Sequence, residues 1–460
     1  MASPEPFSPV WWVNRLCERL ITDQKHMIRM WDYYRGAHPL PFVPRDLELP
    51  YREMLARSRS NFCRRVIDAP VERLRVSGFR LSADSTDVED RESWRLWQAN
   101  KLDLGLQAAL PLIQSHGRAY ISVFRAGNEP RIKFESALHV ITEPDPDDLT
   151  ASAAALKVWY DDTSQVTRAR LYLPGSEHRY KSKIGLILGV AHAHWEPDAD
   201  QGPAEQTFDS RTVPFWRIAN RITTDSPGAS ELDDLWPTQD RINKTLFDRL
   251  LASETSSFRQ KWATGIQVER DEYGNPKDPF ESGLDRMFMD PNPDTKFGTF
   301  EATDLKQFIS AVEQDVVHLA VQSSTPRHYL IEQGQSPSGD AMRSAEAGLI
   351  AKVRRMQTEM SEPIEAAMRY ARSITLPATG QAEPVDSELV WSDPEYRSEG
   401  EKVDALAKLG TLGVPPEKLW ELYGFSPQEI ARMQSTQQAS ALLAGLLPAP
   451  TPAQDDSAVA

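Results

Sequence analysis

One short segment of the chain carries side chains of the types that bind metal ions. The segment "AHAHWEPD" contains His192, His194 and Glu196. Alternate residues of a strand point to the same face, so the two imidazoles could converge on one ion, as in a metal-dependent hydrolase. No Cys-x-x-Cys pair follows, as a zinc deaminase would need. Because short patterns often arise by chance, we prefer the interpretation that these are ordinary strand-face histidines.

The rest of the sequence lacks the common catalytic motifs. It has no Gly-x-x-x-x-Gly-Lys-[Ser/Thr] phosphate cradle, no His-Glu-x-x-His and no Gly-x-Ser-x-Gly. Two cysteines, Cys17 and Cys63, are too few for a disulfide framework or a four-cysteine metal site, and they fit a reducing cytoplasm. We therefore predict that the protein is not an enzyme and has no catalytic residue, metal or cofactor.

The composition is typical of a globular protein that does not hold nucleic acid tightly. The 460 residues are 40% hydrophobic and 26% charged, and the net charge is −15. Non-specific affinity for nucleic acid comes from Lys and Arg side chains that bind phosphates. Because the chain is acidic, DNA either is not a partner or passes without being bound tightly. The sequence contains no run of 18 apolar residues, so no membrane span is expected. The start, "MASPEPFSPVWW", lacks the pattern of a secretory signal.

The first half of the chain has the pattern of an α+β fold. Apolar residues at helical spacing predict helices over residues 10–35 and 61–74, and two more that lead to Gly117. The segment "RAYISVFRAG" alternates and is predicted to be a strand. Short strands joined by turns are expected from there to about Arg221.

The second half is mostly helical. A helix is predicted from Leu235, with Pro237 in its first turn and Asp234 as a candidate cap. Strands and tight loops follow, and then a helix with Thr303 as N-cap and Asp304 at its positive end. A long helix after residue 340, capped by Ser338 or Asp340, is expected to kink at Pro363, near Met360. Short helices are expected over 399–434, followed by an Ala/Pro-rich tail that we predict to be disordered.

Between these helices lies the segment "TPRHYLIEQGQSPSGDAMRSAE", Thr325 to Glu346. Its prolines stop the flanking helices, and its glycines permit several backbone conformations. An ordinary surface loop that ends in a helix cap is one explanation. Two basic pairs, Arg64-Arg65 and Arg354-Arg355, are best explained as solvated helix faces or intersubunit ion pairs, with DNA contact a minority interpretation.

Several blocks, in order, resemble the portal proteins of tailed bacteriophages, in the large, non-enzymatic family of Siphovirus type. The blocks are "NFCRRVIDAPVERLRVSGFR", "LWQANKLDLGLQAALPLIQSHGRAYISV", "ELDDLWPTQDRINKTLFDRLLASETSSFRQKWATG", "TPRHYL", "SPSGDAMRSAEAGLIAKVRRMQ" and "WSDPEYRSEGEKVDALAKLGTLGVPPEKLWELYGFSPQEI". They cover roughly residues 10–435. No single motif is decisive, and the ordered series carries the resemblance.

The resemblance implies a portal-type division of the chain. Residues 1–230 would form an α+β wing, 231–254 and 303–324 two stem helices, and 255–302 a small β-rich clip between them. Residues 325–340 would be a tunnel loop that projects into a shared channel. Residues 341–398 would be the long kinked helix and the return to the wing, 399–435 a helical crown, and 436–460 a disordered tail.

The resemblance also implies a function. The protein would form a ring, of twelve subunits in the family, at one capsid vertex of the virion, after assembly in the host bacterial cytoplasm. Double-stranded DNA would pass through it, without sequence-specific contacts, during packaging and ejection. Its other partners would be the major capsid protein, the terminase large subunit, a head–tail adaptor and a scaffold if present, with no membrane. The alternatives are the metal-dependent hydrolase and another virion ring such as a head–tail adaptor, although adaptors are usually far shorter.

The tunnel-loop assignment indicates which side chains approach DNA. Polar, uncharged residues flanked by glycine suit a sliding contact at the loop tip, while tight packing against the adjoining helices is an equally physical role for Tyr329. The candidates in the loop are Arg327, His328, Tyr329, Gln333, Gln335 and Ser336, and the charges proposed for the stem channel are Asp304, Lys306, Glu313 and Asp315.

Overall fold

In the computed structural model of the chain, the first long helix is defined by its two ends. Helix α1 covers Pro9–Arg35, close to the predicted range. The side chain of Ser8 accepts a hydrogen bond from the backbone N–H of Trp11 at 3.3 Å, and Gly36 ends the helix in the left-handed conformation. The range predicted from apolar spacing is confirmed, and the cap and stop residues explain where the helix begins and ends.

The structure describes residues 5–44, 49–81, 90–127, 129–148, 150–183, 194–200, 202–208, 210–223, 226–257, 261–265, 270, 272–275, 293–299, 304–331, 338–375, 387–395 and 399–446. The chain divides into two units. The first contains residues 1–37, 61–236 and 320–460, and the second contains residues 38–60 and 237–319.

The first unit mixes helices and strands, as the α+β prediction requires. Its helices, besides α1, are α3 (Cys63–Val71), α4 (Arg91–Ala99), α5 (Leu102–His116), α8 (Gly339–Thr375), α9 (Glu399–Thr411), α10 (Pro416–Tyr423) and α11 (Pro427–Leu446). Its strands are β1 (Val76–Leu81), β2 (Arg118–Ala126), β3 (Glu129–Ser136), β4 (Val140–Pro144), β5 (Ser152–Asp161), β6 (Val166–Leu173), β7 (Ser176–Ser182), β8 (Glu196–Pro197), β9 (Glu205–Thr207), β10 (Phe215–Ala219) and β13 (Ser387–Trp391).

The described strands of the first unit form three antiparallel sheets. Strands β4-β5-β6-β7-β8 lie in one sheet in sequence order, with β9 also paired to β7. Strands β10-β2-β3 form the second sheet, and β1 pairs with β13 in the third. Apolar residues of α1 and the large sheet share one core, and a second core lies around α5, α8 and the three-stranded sheet.

Helix α8 supplies much of that second core. It buries residues three or four apart, which gives one apolar stripe along the helix. The buried residues are Leu349, Val353, Met356, Met360, Ile364, Ala367, Met368 and Ala371. Pro363 lies inside this helix, which continues from Gly339 to Thr375, and a kink there stays a prediction.

The second unit contains the remaining described elements. These are α2 (Arg52–Arg57), α6 (Trp236–Ser257) from Pro237 onward, β11 (Lys261–Thr264), β12 (Lys296–Thr299) and α7 (Leu305–Ser323) up to Leu319. Strands β11 and β12 pair in the region where short strands were predicted. The amide of Gln239 donates to the carbonyl of Ser60 at 2.7 Å, and the side-chain oxygen of Asn243 accepts from the Ser60 N–H at 3.0 Å. These bonds join residues 38–60 to α6.

Three predicted boundaries are corrected. Helix α6 begins at Trp236, so Asp234 is not its cap and instead pairs with Arg221 at 3.2 Å. Asp304 caps α7, because its carboxylate accepts from the N–H of Lys306 at 2.9 Å; Thr303 lies outside the described residues. Helix α11 continues to Leu446, beyond the predicted end of the helical region at residue 435.

Among the described residues, none of the helices is both long and apolar enough to cross a lipid bilayer.

Candidate functional site

The segment after α7 begins with a sharp, well-bonded turn. The N–H of Thr325 donates to the carbonyl of Ala320 at 3.0 Å, and the N–H of Ser324 to that of Val321 at 3.2 Å. This is the Schellman pattern that ends helices, and Ser324 takes the left-handed φ of 54° that it requires. Thr325 and the residue that follows it, Pro326, are buried. The start of the predicted loop is therefore fixed to the end of α7.

Tyr329 joins this segment to two other elements. It closes a short 3-10 turn, Arg327–Tyr329. Its hydroxyl accepts a hydrogen bond from the Arg73 guanidinium at 2.6 Å and donates to Glu346 of α8 at 2.9 Å. Arg73 and Glu346 also pair directly at 3.1 Å, and their side chains are largely buried. The guanidinium of Arg65 lies 4.7 Å from the centre of the tyrosine ring. We call Arg73, Tyr329 and Glu346 the tyrosine anchor.

Electrostatics in the tyrosine anchor favour the neutral phenol. The pKa of Tyr329 is raised, first because burial disfavours the phenolate and then because its hydroxyl bonds to Glu346, while Arg73 opposes the shift. Arg73 also donates to the carbonyl of Pro394 at 2.8 Å. Since the hydroxyl has a donor partner and an acceptor partner, it acts as a structural link between Arg73 and α8.

A second anchor holds the turn itself. The ammonium of Lys352 lies 2.7 Å from a carboxylate oxygen of Glu231 and donates to the carbonyl of Ser323 at 3.1 Å. Only 6% of the Lys352 side chain and 3% of the Glu231 side chain are exposed, so the charges are compensated almost entirely by protein groups. Asn220 donates to Glu231 at 3.2 Å, and Arg355 lies 3.3 Å from it. We call Glu231, Lys352 and Ser323 the lysine anchor.

Several cations share the single carboxylate of the lysine anchor. Burial alone favours protonation of Glu231, but Lys352 and then Arg221 outweigh it and lower its pKa. Burial also lowers the pKa of Lys352, an effect that Glu231 opposes and Arg221 and Arg355 reinforce. The Lys352 ammonium thus ties the end of α7 to α8, and the buried carboxylate of Glu231 compensates its charge.

The residues predicted to line the tunnel loop have different environments. Arg327 is exposed, whereas His328 is half-buried, 3.8 Å from Glu346 and edge-on to the ring of Tyr329. Tyr329 belongs to the tyrosine anchor, which agrees with the packing role offered as its alternative. Gln333, Gln335 and Ser336 lie outside the described residues, so their place at the loop tip stays a prediction.

The predicted stem charges also differ from one another. Lys306 and Glu313 are exposed on α7, while Asp304 caps that helix. Asp315 is 14% exposed and pairs with Arg241 of α6 at 2.8 Å, so its charge is already compensated. Which of these side chains face a channel stays a prediction.

The alternative metal site gains no support from the described residues. His194 and Glu196 are exposed, and His192 lies outside the described residues. Within the parts of the chain that the structure describes, no three His, Cys, Asp or Glu side chains are grouped to hold a metal ion.

The anchors themselves were not predicted. One signal was available, because Lys352 follows Leu349 by three residues and precedes Val353, which places a charge on the apolar stripe of α8. A lysine there needs a buried partner. No comparable signal identifies Arg73 or Glu231, whose partners are distant in sequence. Of the basic pairs, Arg65 and Arg355 contact the two anchors.

Comparisons with known proteins cover nearly the whole chain. Residues 16–441 match the model of the family described as "Phage portal protein, SPP1 Gp6-like". The portal protein of Mycobacterium phage D29 is 28% identical over 446 residues, which cover 92% of this chain and 88% of the relative. The portal protein of Mycobacterium phage L5 is 28% identical over 427 residues, covering 88% and 83%.

Two solved structures are more distantly similar. A chain from the neck of an empty gene transfer agent (GTA) particle matches with a TM-score of 0.42 and 12% identity, covering 86% of this chain and 98% of that one. A chain from the virion of the native gene transfer agent particle matches with a TM-score of 0.43 and 12% identity, covering 88% and 98%. The family match, which extends over most of the sequence, shows that the chain belongs to the phage portal proteins of the SPP1 Gp6-like family.

Proposed function

We propose that this protein forms a closed ring at one vertex of a phage capsid and is the conduit for double-stranded DNA during packaging and ejection. The family match over residues 16–441 is the observation that carries the proposal. A ring needs two different complementary patches on each subunit. We further propose twelve subunits, assembly in the host cytoplasm, and docking of the terminase large subunit, the major capsid protein and a head–tail adaptor.

We propose a portal-type division of the chain. We assign the wing to residues 1–230, the stem to α6 and α7, the clip to residues 255–302 and the crown to residues 399–435. The tunnel loop, residues 325–340, connects the end of α7 to α8. The two anchors support this assignment, because they hold the beginning of the loop to α8.

Weak contact with DNA is consistent with the charges on the chain. A net charge of −15 per subunit produces a field that opposes retention of DNA, and each tight phosphate contact would slow translocation. We propose that the energy for DNA movement comes from a partner ATPase and that the portal itself is not catalytic.

The ring is tested by electron microscopy and native mass spectrometry of the purified protein. We expect particles with a central hole and a single dominant subunit number. A protein that stays monomeric at every concentration and ionic strength contradicts the proposal.

The conduit is tested by deletion of Gln333–Ser336. Ring formation is expected to be unchanged, because the deletion leaves both anchors in place, whereas packaging or retention of DNA in the head is expected to fall. Removal of residues 457–460, a deletion of the same length, is the matched control. A ring-forming deletion variant that packages and retains full-length DNA normally refutes the tunnel-loop assignment.

A further inference from the structure

A positively charged cleft lies between two sheets of the first unit. It has a volume of about 600 Å³ and is lined by side chains of β2, β3, β5 and β6. Its cationic residues are Arg125, Arg131, Lys133, Lys157 and Arg170, against the single carboxylate of Glu135. The described residues of the lining therefore carry a net charge of +4, with histidine neutral, on a chain whose total is −15. A local charge opposite to that of the whole chain concentrates anions there.

The strand register places like charges next to each other in this cleft. Lys157 of β5 lies directly opposite Arg170 of β6, an arrangement that destabilises a sheet unless an anion compensates it. Glu135 supplies part of that compensation, at 2.6 Å from the Lys157 ammonium and 3.5 Å from that of Lys133. Arg170 lies 3.8 Å from Glu177 and 5.3 Å from the ring centre of Trp159. The cleft thus already holds one carboxylate between two lysines.

Positive charge remains accessible at the β3 side of the cleft. Arg131 is exposed, and 64% of the Lys133 side chain is exposed. These residues are two apart on one strand, so both point to the same face as Glu135. Arg125 of the neighbouring strand donates to the carbonyl of Ile374 and still lies in the lining. A carboxylate that enters the cleft can reach several cations without displacing Glu135.

The floor of the cleft is aromatic. The rings of Phe124 and Tyr172 lie 5.4 Å apart, and the half-buried Trp159 adds a third aromatic face. Contact with an apolar side chain of a ligand would be favourable for these aromatic rings. A bare phosphate chain has no such side chain. The volume is that of a small-molecule pocket, so a few peptide residues fit in it, whereas duplex DNA reaches only the rim.

We propose that this cleft binds a short acidic peptide segment of a partner protein, in which carboxylates flank an aromatic or large apolar side chain. The carboxylates pair with Arg131 and Lys133, and the apolar side chain covers Phe124 and Trp159. The proposal does not depend on the passage of DNA through the ring.

The probe is a fluorescein-labelled Asp-Glu-Phe-Asp-Glu peptide, titrated against the purified full-length protein by fluorescence anisotropy. Peptides with Asn and Gln in place of the acids, or Ser in place of Phe, are expected to bind more weakly. The double variant Arg131→Glu, Lys133→Glu is expected to lose about tenfold or more in affinity. The matched control Arg131→Lys, Lys133→Arg keeps both charges and is expected to retain binding.

Position is checked independently by carbodiimide coupling, which joins a carboxylate to a lysine amine. Mass spectrometry is expected to find the probe on Lys133, and excess unlabelled peptide is expected to suppress this product. Equal binding to the charge-reversed variant overturns the proposal. So does duplex DNA that displaces the peptide at lower concentration, or a reversed variant with altered subunit number, which would show that a second copy of the chain fills the cleft.

Discussion

Lys352 and Glu231 form an ion pair at 2.7 Å that is almost completely buried, and the same lysine holds the carbonyl of Ser323 at the end of α7. Glu231 precedes α6 and Lys352 lies on α8, so one contact unites segments that are 121 positions apart in sequence. Removal of either charge leaves its partner in a site that water hardly reaches.

We expect Glu231→Gln to lower the free energy of unfolding by about 3–5 kcal/mol, because Lys352 keeps a buried charge without its carboxylate. The double variant Glu231→Gln, Lys352→Met is expected to lose less unfolding free energy than the sum of the losses in the single variants Glu231→Gln and Lys352→Met, since no unpaired charge remains. Chemical denaturation measures both. Arg354→Met, at a side chain that is 60% exposed, is the control and is expected to change stability little. Additive effects of the two substitutions would show that the charges do not interact.

Stability is expected to fall with acid partly because of His116. Its two ring nitrogens are buried without hydrogen-bond partners among the described residues, and burial, assisted by Arg118, lowers its pKa to about 4. The unfolded chain therefore binds a proton near its ordinary pKa while the folded chain does not, so stability is lost as pH falls between about 6.5 and 4. The contribution approaches about 3 kcal/mol at the acid end.

The variant His116→Leu is expected to flatten that part of the stability profile. Its difference from the native protein should change with pH between about 6.5 and 4 and stay constant above that range. The substitution His194→Leu, at an exposed position, is the control. Parallel profiles for the native protein and His116→Leu would show that His116 titrates normally in the folded state.

Acid also acts on the lysine anchor, over a lower range. The pKa of Glu231 is lowered in the folded protein, so its stabilisation is complete above its unfolded value and is lost as pH falls through the folded one. The Glu231→Gln variant is therefore expected to differ most from the native protein near neutral pH and to approach it below about pH 4. A difference that stays constant down to strong acid contradicts this assignment.

The tyrosine anchor is expected to control opening at the start of the loop. Tyr329→Phe leaves Arg73 and Glu346 paired and should cost about 1 kcal/mol, whereas Arg73→Met removes both contacts and should cost more. The amides of Leu330 and Ile331 both bond to the carbonyl of Arg327. Hydrogen exchange at these two amides is expected to be faster in Tyr329→Phe than in the native protein, and faster still in Arg73→Met. Unchanged exchange in Arg73→Met would mean that the turn is stable without the anchor.

Gly117 is expected to tolerate no side chain. It ends α5 with φ of 81°, and a Cβ there would lie 2.9 Å from the carbonyl carbon of Ala229. Gly127 also has a positive φ, of 68°, but apart from its own and its chain neighbours' atoms, no atom of the described residues lies within 4 Å of its Cβ position. Gly127→Ala is therefore the matched control, with a cost of about 1 kcal/mol from the backbone alone, and Gly117→Ala should cost clearly more in thermal denaturation. Equal costs would show that the Ala229 backbone moves aside freely.

Local signals in the sequence predict much of the fold. The glycine that ends α5 and the serine that begins α8 each act on neighbouring backbone groups, so short segments suffice to identify them. Ser338, one of two candidate caps of α8, accepts from the N–H of Ala341 at 3.3 Å. The predicted start of a helix was wrong where two neighbouring residues could both act as its cap, as with Thr303 and Asp304 at the start of α7.

The anchors could not be predicted in the same way. The sequence shows that Glu346 and Lys352 are charged residues of a helix, but their partners Arg73 and Glu231 come near only after the sheets and helices of the first unit have packed. A basic cleft built from four strands is equally hidden, because each strand contributes only one or two cations. The series of sequence blocks that resembles the family identified the portal class, but it did not reveal the anchors or the basic cleft.

Both anchors use the same helix, with Glu346 and Lys352 six positions apart, or about 9 Å along α8 at 1.5 Å per residue. A single contact would let the start of the loop pivot about it, whereas two separated contacts also fix its direction relative to α8. We therefore expect Ser323 and Tyr329 to move together with α8, so that a displacement of the helix in an assembled ring would carry the start of the loop with it.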